Sequence, residues 1–348
     1  MKILITGGAG FVGSHCAEYF ANKKNKVVVI DNLMRSKIFG SKHKSVEYNW
    51  DYLSQFKNVT LIKEDVRNQE AMTRILSREK PDVVIHTAGQ PGVRYSLDDP
   101  MEDYSINATG TIILLEALRK ANPKGQFIFC STNKVYGNNV NAIPIQTRSL
   151  RYEFKNSKGV KEDYDIDLTG HTPYGVSKLA GDLYAQDYAY VYGMKTGIFR
   201  MSCIYGTRQF GFEDQGWVAW FSIRYFFGEP VTIYGDGKQI RDVLWVEDLV
   251  RAFEAFIKSD DKLKGEVFNM GGGPDNTLSL LELTNYLEKV TKRKVKIHYA
   301  DWRKFDQKVY VSDVSKAEKI FRWKPQVSPP EGVKRLVDWI SSNPKLFK

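Results

Sequence analysis

The 348-residue chain carries Tyr174 and Lys178 in HTPYGVSKLAGD, and a spacing of four sets both on one face of a helix. A phenol near pKa 10 is a poor base at neutral pH. Bringing it into range means lowering it by about 3 units, worth roughly 4 kcal/mol, and a neighbouring cation such as Lys178 is the means. Upstream, STNKVYG (131–137) offers a hydroxyl at Thr132 that would orient a substrate OH as it loses its proton. A Tyr and a Lys at this spacing also occur by chance, so the pair needs support elsewhere in the chain.

KILITGGAGFVG gives that support, setting Gly7, Gly10 and Gly13 directly after an apolar run and at the start of a helical pattern. Glycine is needed where backbone turns tightly and approaches a pyrophosphate closely, and a helix start presents amide donors and the positive end of its dipole. Asp31 ends the second apolar run, eighteen residues beyond Gly13, where the dinucleotide fingerprint requires an acid. A carboxylate there accepts from the adenosine ribose hydroxyls and repels a 2′-phosphate, which favours NAD over NADP. Arg35 nearby weakens that preference, and a turn or capping carboxylate before Asn32 is the plainer reading. Asp65, ending the third run, either lines the adenine pocket or is a solvated loop acid. An oxidised nicotinamide would add its positive charge to that of Lys178.

Six apolar runs must position these groups: 2–6, 26–31, 59–65, 82–88, 126–131 and 196–202. Stretches of helical period lie between them, HCAEYFANKK, NQEAMTRILSRE and NATGTIILLEALRKAN among them. Runs apolar at nearly every position are strands covered on both faces. The alternation predicts an α/β fold with a doubly wound parallel sheet, the Rossmann arrangement. We assign 1–202 to an NAD-binding domain carrying Thr132, Tyr174 and Lys178. Residues 203–348 have shorter elements and more turns and form mainly a smaller α/β substrate lobe, interleaved with the first and completing a substrate cleft. The polar stretch from Asn138 to Thr172 is expected as a surface excursion.

Composition narrows the class. A content of 42% hydrophobic and 13% aromatic residues supports a sizeable core and excludes disordered and fibrous chains. There is no apolar run near twenty residues and the chain opens on a strand-like run without a basic leader, so a soluble, cytoplasmic protein that binds no membrane is expected. Cys16, Cys130 and Cys203 are dispersed and odd in number, which argues against disulfides and thiolate metal sites, and the five histidines lack ligand spacing. No metal is expected. The net charge of +10 is spread thinly rather than gathered into a nucleic-acid-binding block.

Together GGAGFVG, Asp31, Asn107 in SINATGT, STNKVYG and the Tyr174–Lys178 pair resemble the extended short-chain dehydrogenase/reductase family, the nucleotide-sugar epimerases and dehydratases, over essentially the whole chain. The resemblance implies a catalytic triad of Thr132, Tyr174 and Lys178 and an NAD that is reduced and reoxidised within one turnover. It implies that Gly7, Gly10, Phe11, Val12, Gly13, Asp31, Asn32, Asp65, Val66 and Asn107 hold that NAD along with Tyr174 and Lys178. In the 4,6-dehydratases of the family the two residues after the catalytic Thr are typically Asp and Glu, which eliminate water. Here they are Asn133 and Lys134. An amide does not titrate and a lysine starts out protonated, so elimination is not expected.

What remains is oxidation and re-reduction of a sugar carbon, an isomerase reaction. STNKVYG, YGTRQFGFEDQGWVAWF, GKQIRDVLWVED and DQKVYVSD are similar to the family members that invert C2 of a CDP-linked dideoxyhexose. That likeness implies substrate contacts from Gln90, Thr132, Asn133, Cys203, Arg208, Gln209, Gln215, Gly216, Gln239, Arg241, Arg303 and Asp306. Arginine forks suit diphosphate oxygens better than a lysine point charge. The same aromatic run also reads as a core stripe through Trp217, Trp220 and Phe221. Ser202 and Cys203 stand in RMSCIYG where many relatives carry Asn, so the usual amide contact to the diphosphate is missing. Tyr174 is expected to deprotonate the C2 hydroxyl while C2 delivers hydride; the ketone then turns over and hydride returns to its opposite face. A UDP-hexose 4-epimerase is the nearest alternative, and an inactive NAD-sensing or RNA-binding relative is the alternative of another class. The resemblance further implies a homodimer built on the helices carrying IILLEAL and LYAQDYAYVY, and a place in cell-surface polysaccharide synthesis.

Overall fold

The computed structural model describes every residue except 36–44, 261, 304–305 and 348. The chain divides into two compact units, one of Met1–Val135, Thr172–Arg200 and Val250–Phe268, the other of Tyr136–His171, Met201–Leu249 and Asn269–Lys348.

In the first unit the apolar runs become strands β1 (Lys2–Thr6), β2 (Lys26–Asp31), β3 (Val59–Lys63), β4 (Val83–His86) and β5 (Gln126–Thr132). They pair in parallel in the order β3-β2-β1-β4-β5. The sheet continues through Thr196–Met201 to Glu266–Met270, seven strands in all. Strand order reverses between β1 and β4, the place where doubly wound sheets open a crevice at their carboxyl ends. Helices Phe11–Asn22, Gln69–Glu79, Gly110–Ala121 and Thr172–Tyr192 alternate with the strands as the sequence predicts. Their apolar faces meet the sheet, so Met72, Ile75, Leu76, Leu114, Leu115 and Leu118 share one core with Leu4, Val28, Val84, Phe127 and Phe129. Leu114, Leu115 and Leu118 of IILLEAL are therefore spent on that core, whereas LYAQDYAYVY leaves Leu183, Tyr184, Tyr190 and Val191 exposed.

Two features of this unit were not visible as periodicity. The predicted helix over 107–122 opens as a π-turn, Ser105–Thr109, before continuing as α-helix from Gly110. A Cβ at Gly110 would sit 2.9 Å from Val66 Cγ2, so the glycine lets the turn pack on the segment after β3. The second is a buried ion pair. Arg200 donates from Nε to Asp182 Oδ2 at 3.0 Å and from Nη2 to Oδ1 at 3.1 Å, and Ser131 Oγ donates to Oδ2 at 2.6 Å. It joins the long helix to β5 and to the neighbouring strand.

The second unit is built on strand Ile240–Trp245, flanked by Cys203–Tyr205, Thr277–Ser279 and Val309–Tyr310. Helices Trp217–Phe227, Leu280–Thr291 and Pro329–Ser342 pack there around Phe221, Tyr225, Val243, Trp245, Leu283 and Leu336. The segment from Asn138 to Thr172, expected as a surface excursion, is mostly exposed or half-buried, and through His171 it belongs to this unit. Ile145–Thr147 and Tyr152–Phe154 form a hairpin, Arg151 Nη2 pairs with Glu282 Oε2 at 2.6 Å, and Val160 N donates to Val311 O at 2.8 Å. Glu282 and Val311 lie far away in sequence, so these ties leave no local period to read. No helix among the described residues is long and apolar enough to cross a membrane.

Candidate functional site

The glycine cradle forms where β1 ends. Gly7 takes φ of 65°, donates its N–H to Ile30 O at 2.7 Å, and would place a Cβ 2.5 Å from Ala88 N. Gly10 caps the helix Phe11–Asn22 in an extended conformation, and Phe11 and Val12 in its first turn stay partly exposed. Gly13 closes the packing, since a Cβ there would meet Gly7 O at 2.3 Å and Thr87 Oγ1 at 2.7 Å. A side chain at Gly7 or Gly13 would collide with the turn itself, whereas a Cβ at Gly10 would meet only Gly7 O at 3.0 Å, so the glycines tighten the turn and leave the helix N-terminus open, as a dinucleotide pyrophosphate requires. Gly13→Ala is expected to lose about 1–3 kcal/mol of stability and to co-purify with less NAD. Chemical denaturation and the absorbance of extracted nucleotide check this, and an unchanged midpoint with full occupancy would contradict the packing.

Asp31 braces the cradle. Its Oδ2 accepts from Ala9 N at 3.0 Å and its Oδ1 from Leu33 N at 2.8 Å. Burial raises its carboxyl, and these two N–H groups and the charge of Arg35 work against that rise. The capping geometry and the position at the cradle therefore occur together. Asp65 is no loose loop acid. Against the cost of burial, the Arg67 guanidinium, the Arg67 N–H and the Asn32 amide hold it at about 2, with Arg67 Nη2 at 2.7 Å and Asn32 Nδ2 at 2.9 Å. Val66 beside it is buried.

The end of β5 and the helix Thr172–Tyr192 bring the reactive residues together. Thr132 and Asn133 are buried, and Asn133 opens a 3-10 helix through Ala142. Lys134 donates its backbone N–H to Thr132 Oγ1 at 3.2 Å. The Thr132 hydroxyl lies near enough to the Tyr174 phenol to favour its ionised form. Tyr174 is partly exposed, yet desolvation of its phenol pushes it up to about 12, against the pull of Thr132. Lys178 is buried with Nζ 4.2 Å from the Phe129 ring centroid. Burial draws its ammonium down to about 8, opposed by Cys130, Asp103 and Asp182.

Asn107 is engaged within the protein. Its Oδ1 accepts from Gln90 N at 2.9 Å, and its Nδ2 lies 3.1 Å from Gln90 O, 3.1 Å from Asp103 Oδ1 and 3.0 Å from Ser177 Oγ. Asp103 and Ser177 escaped the sequence reading. Asp103 stands in the acid-rich DDPMEDY, which reads as a solvated surface, and nothing local marks it as buried.

The residues expected on the substrate from the second unit fall into small groups. Arg208 is buried with φ of 58°, Gln209 Nε2 donates to Ile204 O at 3.2 Å, and Gln215 and Phe212 exchange backbone hydrogen bonds at 3.0 Å. Gly216, at φ of 74°, would place a Cβ 3.0 Å from Gln209 Nε2. Trp217 Nε1 donates to Cys203 Sγ at 3.3 Å, so the aromatic run serves the core as the plainer reading has it. Arg241 Nη2 pairs with Asp306 Oδ1 at 2.6 Å. Arg303 pairs with Asp214 at 3.0 Å and lies 4.1 Å over the Tyr234 ring, while Gln239 Nε2 donates to Tyr234 O at 2.7 Å. Ser202 donates to the buried Asp242 at 2.5 Å.

Residues 3–271 match the family described as the NAD dependent epimerase/dehydratase family. The chain belongs to this family. Its members include the CDP-paratose 2-epimerase of Salmonella typhi, 39% identical over 98% of this chain and 100% of that protein. The UDP-glucuronate 4-epimerase of Thermodesulfobacterium geofontis is 30% identical over 99% of this chain and 98% of its own length. Among solved structures, UDP-glucose 4-epimerase of Thermotoga maritima with UDP-glucose superposes with a TM-score of 0.83 at 30% identity, covering 99% of each chain. UDP-glucuronic acid 4-epimerase of Bacillus cereus, solved with UDP-glucuronic acid and NAD, gives 0.82 at 29% identity over 99% of this chain and 100% of that one. NAD is the cofactor of this epimerase/dehydratase family, and the glycine cradle fits it.

Proposed function

We propose that the chain is a nucleotide-sugar epimerase that inverts C2 of a CDP-linked deoxyhexose. The observation that carries the epimerase reading is the end of β5, where Thr132 stands by the Tyr174 phenol while the next two side chains are Asn133 and Lys134. Proton transfer at a sugar hydroxyl is served, and elimination has no acid and base to perform it. The 39% identity to a CDP-paratose 2-epimerase supports the carbon and the nucleotide.

Gly7, Gly10, Phe11, Val12, Gly13, Asp31, Asn32, Asp65, Val66 and Asn107 are the residues that would hold NAD. Bound there, NAD would supply the hydride acceptor and donor for the sugar carbon. Tyr174, as phenolate, takes the proton of the C2 hydroxyl and gives it back when the ketone is reduced. Lys178 favours the phenolate by its charge. Thr132 holds the reacting oxygen and Asn133 orients the sugar. Gln90, Cys203, Arg208, Gln209, Gln215, Gly216, Gln239 and Asp306 line the substrate, and Arg241 and Arg303 grip the diphosphate and nucleotide ribose, with Arg241 exchanging Asp306 for phosphate oxygens.

A substrate panel tests the reading. Purified protein incubated with CDP-tyvelose, UDP-glucose and UDP-glucuronate is expected to turn over the CDP-linked sugar and to leave both UDP sugars unchanged by chromatography. Inversion of UDP-glucose at C4 as the faster reaction would move the function to the 4-epimerases.

A further inference from the structure

Asp103 lies beside the triad, fully buried, and belongs to no motif of the family reading. Its carboxylate accepts from Gln90 Nε2 at 2.8 Å, Asn107 Nδ2 at 3.1 Å and Ser177 Oγ at 2.5 Å. Burial raises this carboxyl, and the three donors and the charge of Lys178 work against that rise, so the surroundings are built to receive the carboxylate. The donors come from the loop after β4, from the π-turn and from the helical turn that lies between Tyr174 and Lys178. A Cβ at Gly89 would stand 3.0 Å from Asn107 Oδ1 and 3.8 Å from Lys178 Nζ, so the ammonium rests against this same knot.

An amide would tie these segments together without the several kcal/mol that a buried charge costs. The charge therefore calls for a function. We propose that Asp103 is a positioning residue of the reaction, whose buried negative charge holds Lys178 as the ammonium and fixes the turn joining Tyr174 to Lys178. The proposal rests on the reading of Tyr174 and Lys178 as the catalytic pair.

The other groups facing the pair carry little net negative charge. Asp182 is matched by Arg200 at 3.0 Å. Burial pushes the Cys130 thiol up to about 12, which keeps it neutral. His86, between Thr6 Oγ1 at 2.7 Å and Thr111 Oγ1 at 3.0 Å, is held far below the usual histidine range by burial and by Lys178, and is neutral too. Asp103 is left as the carboxylate whose hydrogen bonds all come from neutral donors. Its charge raises the pKa of Tyr174 and of Lys178 alike.

Asp103→Asn removes the charge and keeps the shape. The new carbonyl accepts from Gln90 and Asn107, and the new NH2 donates to Ser177 Oγ, which turns its hydroxyl to Tyr174 O, 3.1 Å away. Both limbs of the kcat/KM profile against pH are expected to move to lower pH, and kcat above neutral pH to fall about tenfold. Ultraviolet titration of the phenolate in the NAD-loaded protein, differenced against Tyr174→Phe, is expected to show the same displacement with no turnover involved. Limbs and titration that coincide with the wild type overturn the proposal. If the wild type turns over no nucleotide sugar, the epimerase reading falls, and the titration still decides Asp103: a displacement upholds its charge role and none removes it. Ser177→Ala, which deletes one hydrogen bond and leaves the charge, is expected to lower kcat with both limbs in place. Limbs that move as far as in Asp103→Asn would assign the effect to geometry and overturn the charge role.

Discussion

Tyr174→Phe is expected to lower kcat roughly a thousandfold with fold and NAD content unchanged. On the proposed reading the phenol beside Thr132 is the group that takes the substrate proton. In the chain by itself burial sets this phenol at about 12. Delivering the phenolate at neutral pH therefore asks for about 7 kcal/mol of preferential stabilisation, more than the sequence alone suggested. Lys178 and the cationic cofactor must provide it, which makes the ammonium indispensable. Because Lys178 lies at about 8, the charge is present below that pH and is lost above it, so the profile of the wild type should fall on its alkaline side near there. Steady-state kinetics of the variant across pH, with NAD content measured in parallel, check both statements. A variant that retained a tenth of the turnover would remove Tyr174 from its role.

Arg200→Met is expected to cost about 3–5 kcal/mol of stability. Asp182 is fully buried and Arg200 nearly so. Without the guanidinium, Asp182 keeps Ser131 Oγ at 2.6 Å and Gln186 Nε2 at 2.7 Å but no cation in hydrogen-bond contact. Two neutral donors do not offset the desolvation of a carboxylate at this depth. Replacing both partners, Asp182→Leu with Arg200→Met, should cost less than the single change, because no isolated charge remains. Chemical denaturation of the two variants decides the matter. A single-variant loss below about 1 kcal/mol would rank the pair with exposed ion pairs, whose contribution is of that size.

The parts of the molecule legible in the sequence are those whose chemistry repeats locally. Strands such as KVVVID declare themselves because every position is covered, and Gly7, Gly10 and Gly13 because a tight turn between strand and helix leaves no room for a side chain. Tyr174 and Lys178 are readable because a helix converts a spacing of four into a shared face. The π-turn at Ser105–Thr109 is not, since an inserted residue breaks the very period used to find helices. Asp103 and Arg151 were missed for a related reason. Each is polar, and each is committed to partners more than ten residues away, Ser177 for one and Glu282 for the other. Arg241 was read as a substrate residue from its family resemblance, but that it would rest on Asp306, another residue of the same set, depends on strand register that the sequence does not display.

Proton NMR of the purified protein with CDP-tyvelose in D2O tests the central claim most directly. Inversion at C2 with its hydrogen retained and no deuterium entering is the result expected when hydride leaves and returns within one active site. Deuterium incorporation at C2 would replace internal hydride transfer with exchange through solvent, and an unchanged C2 would contradict the assignment of the reacting carbon.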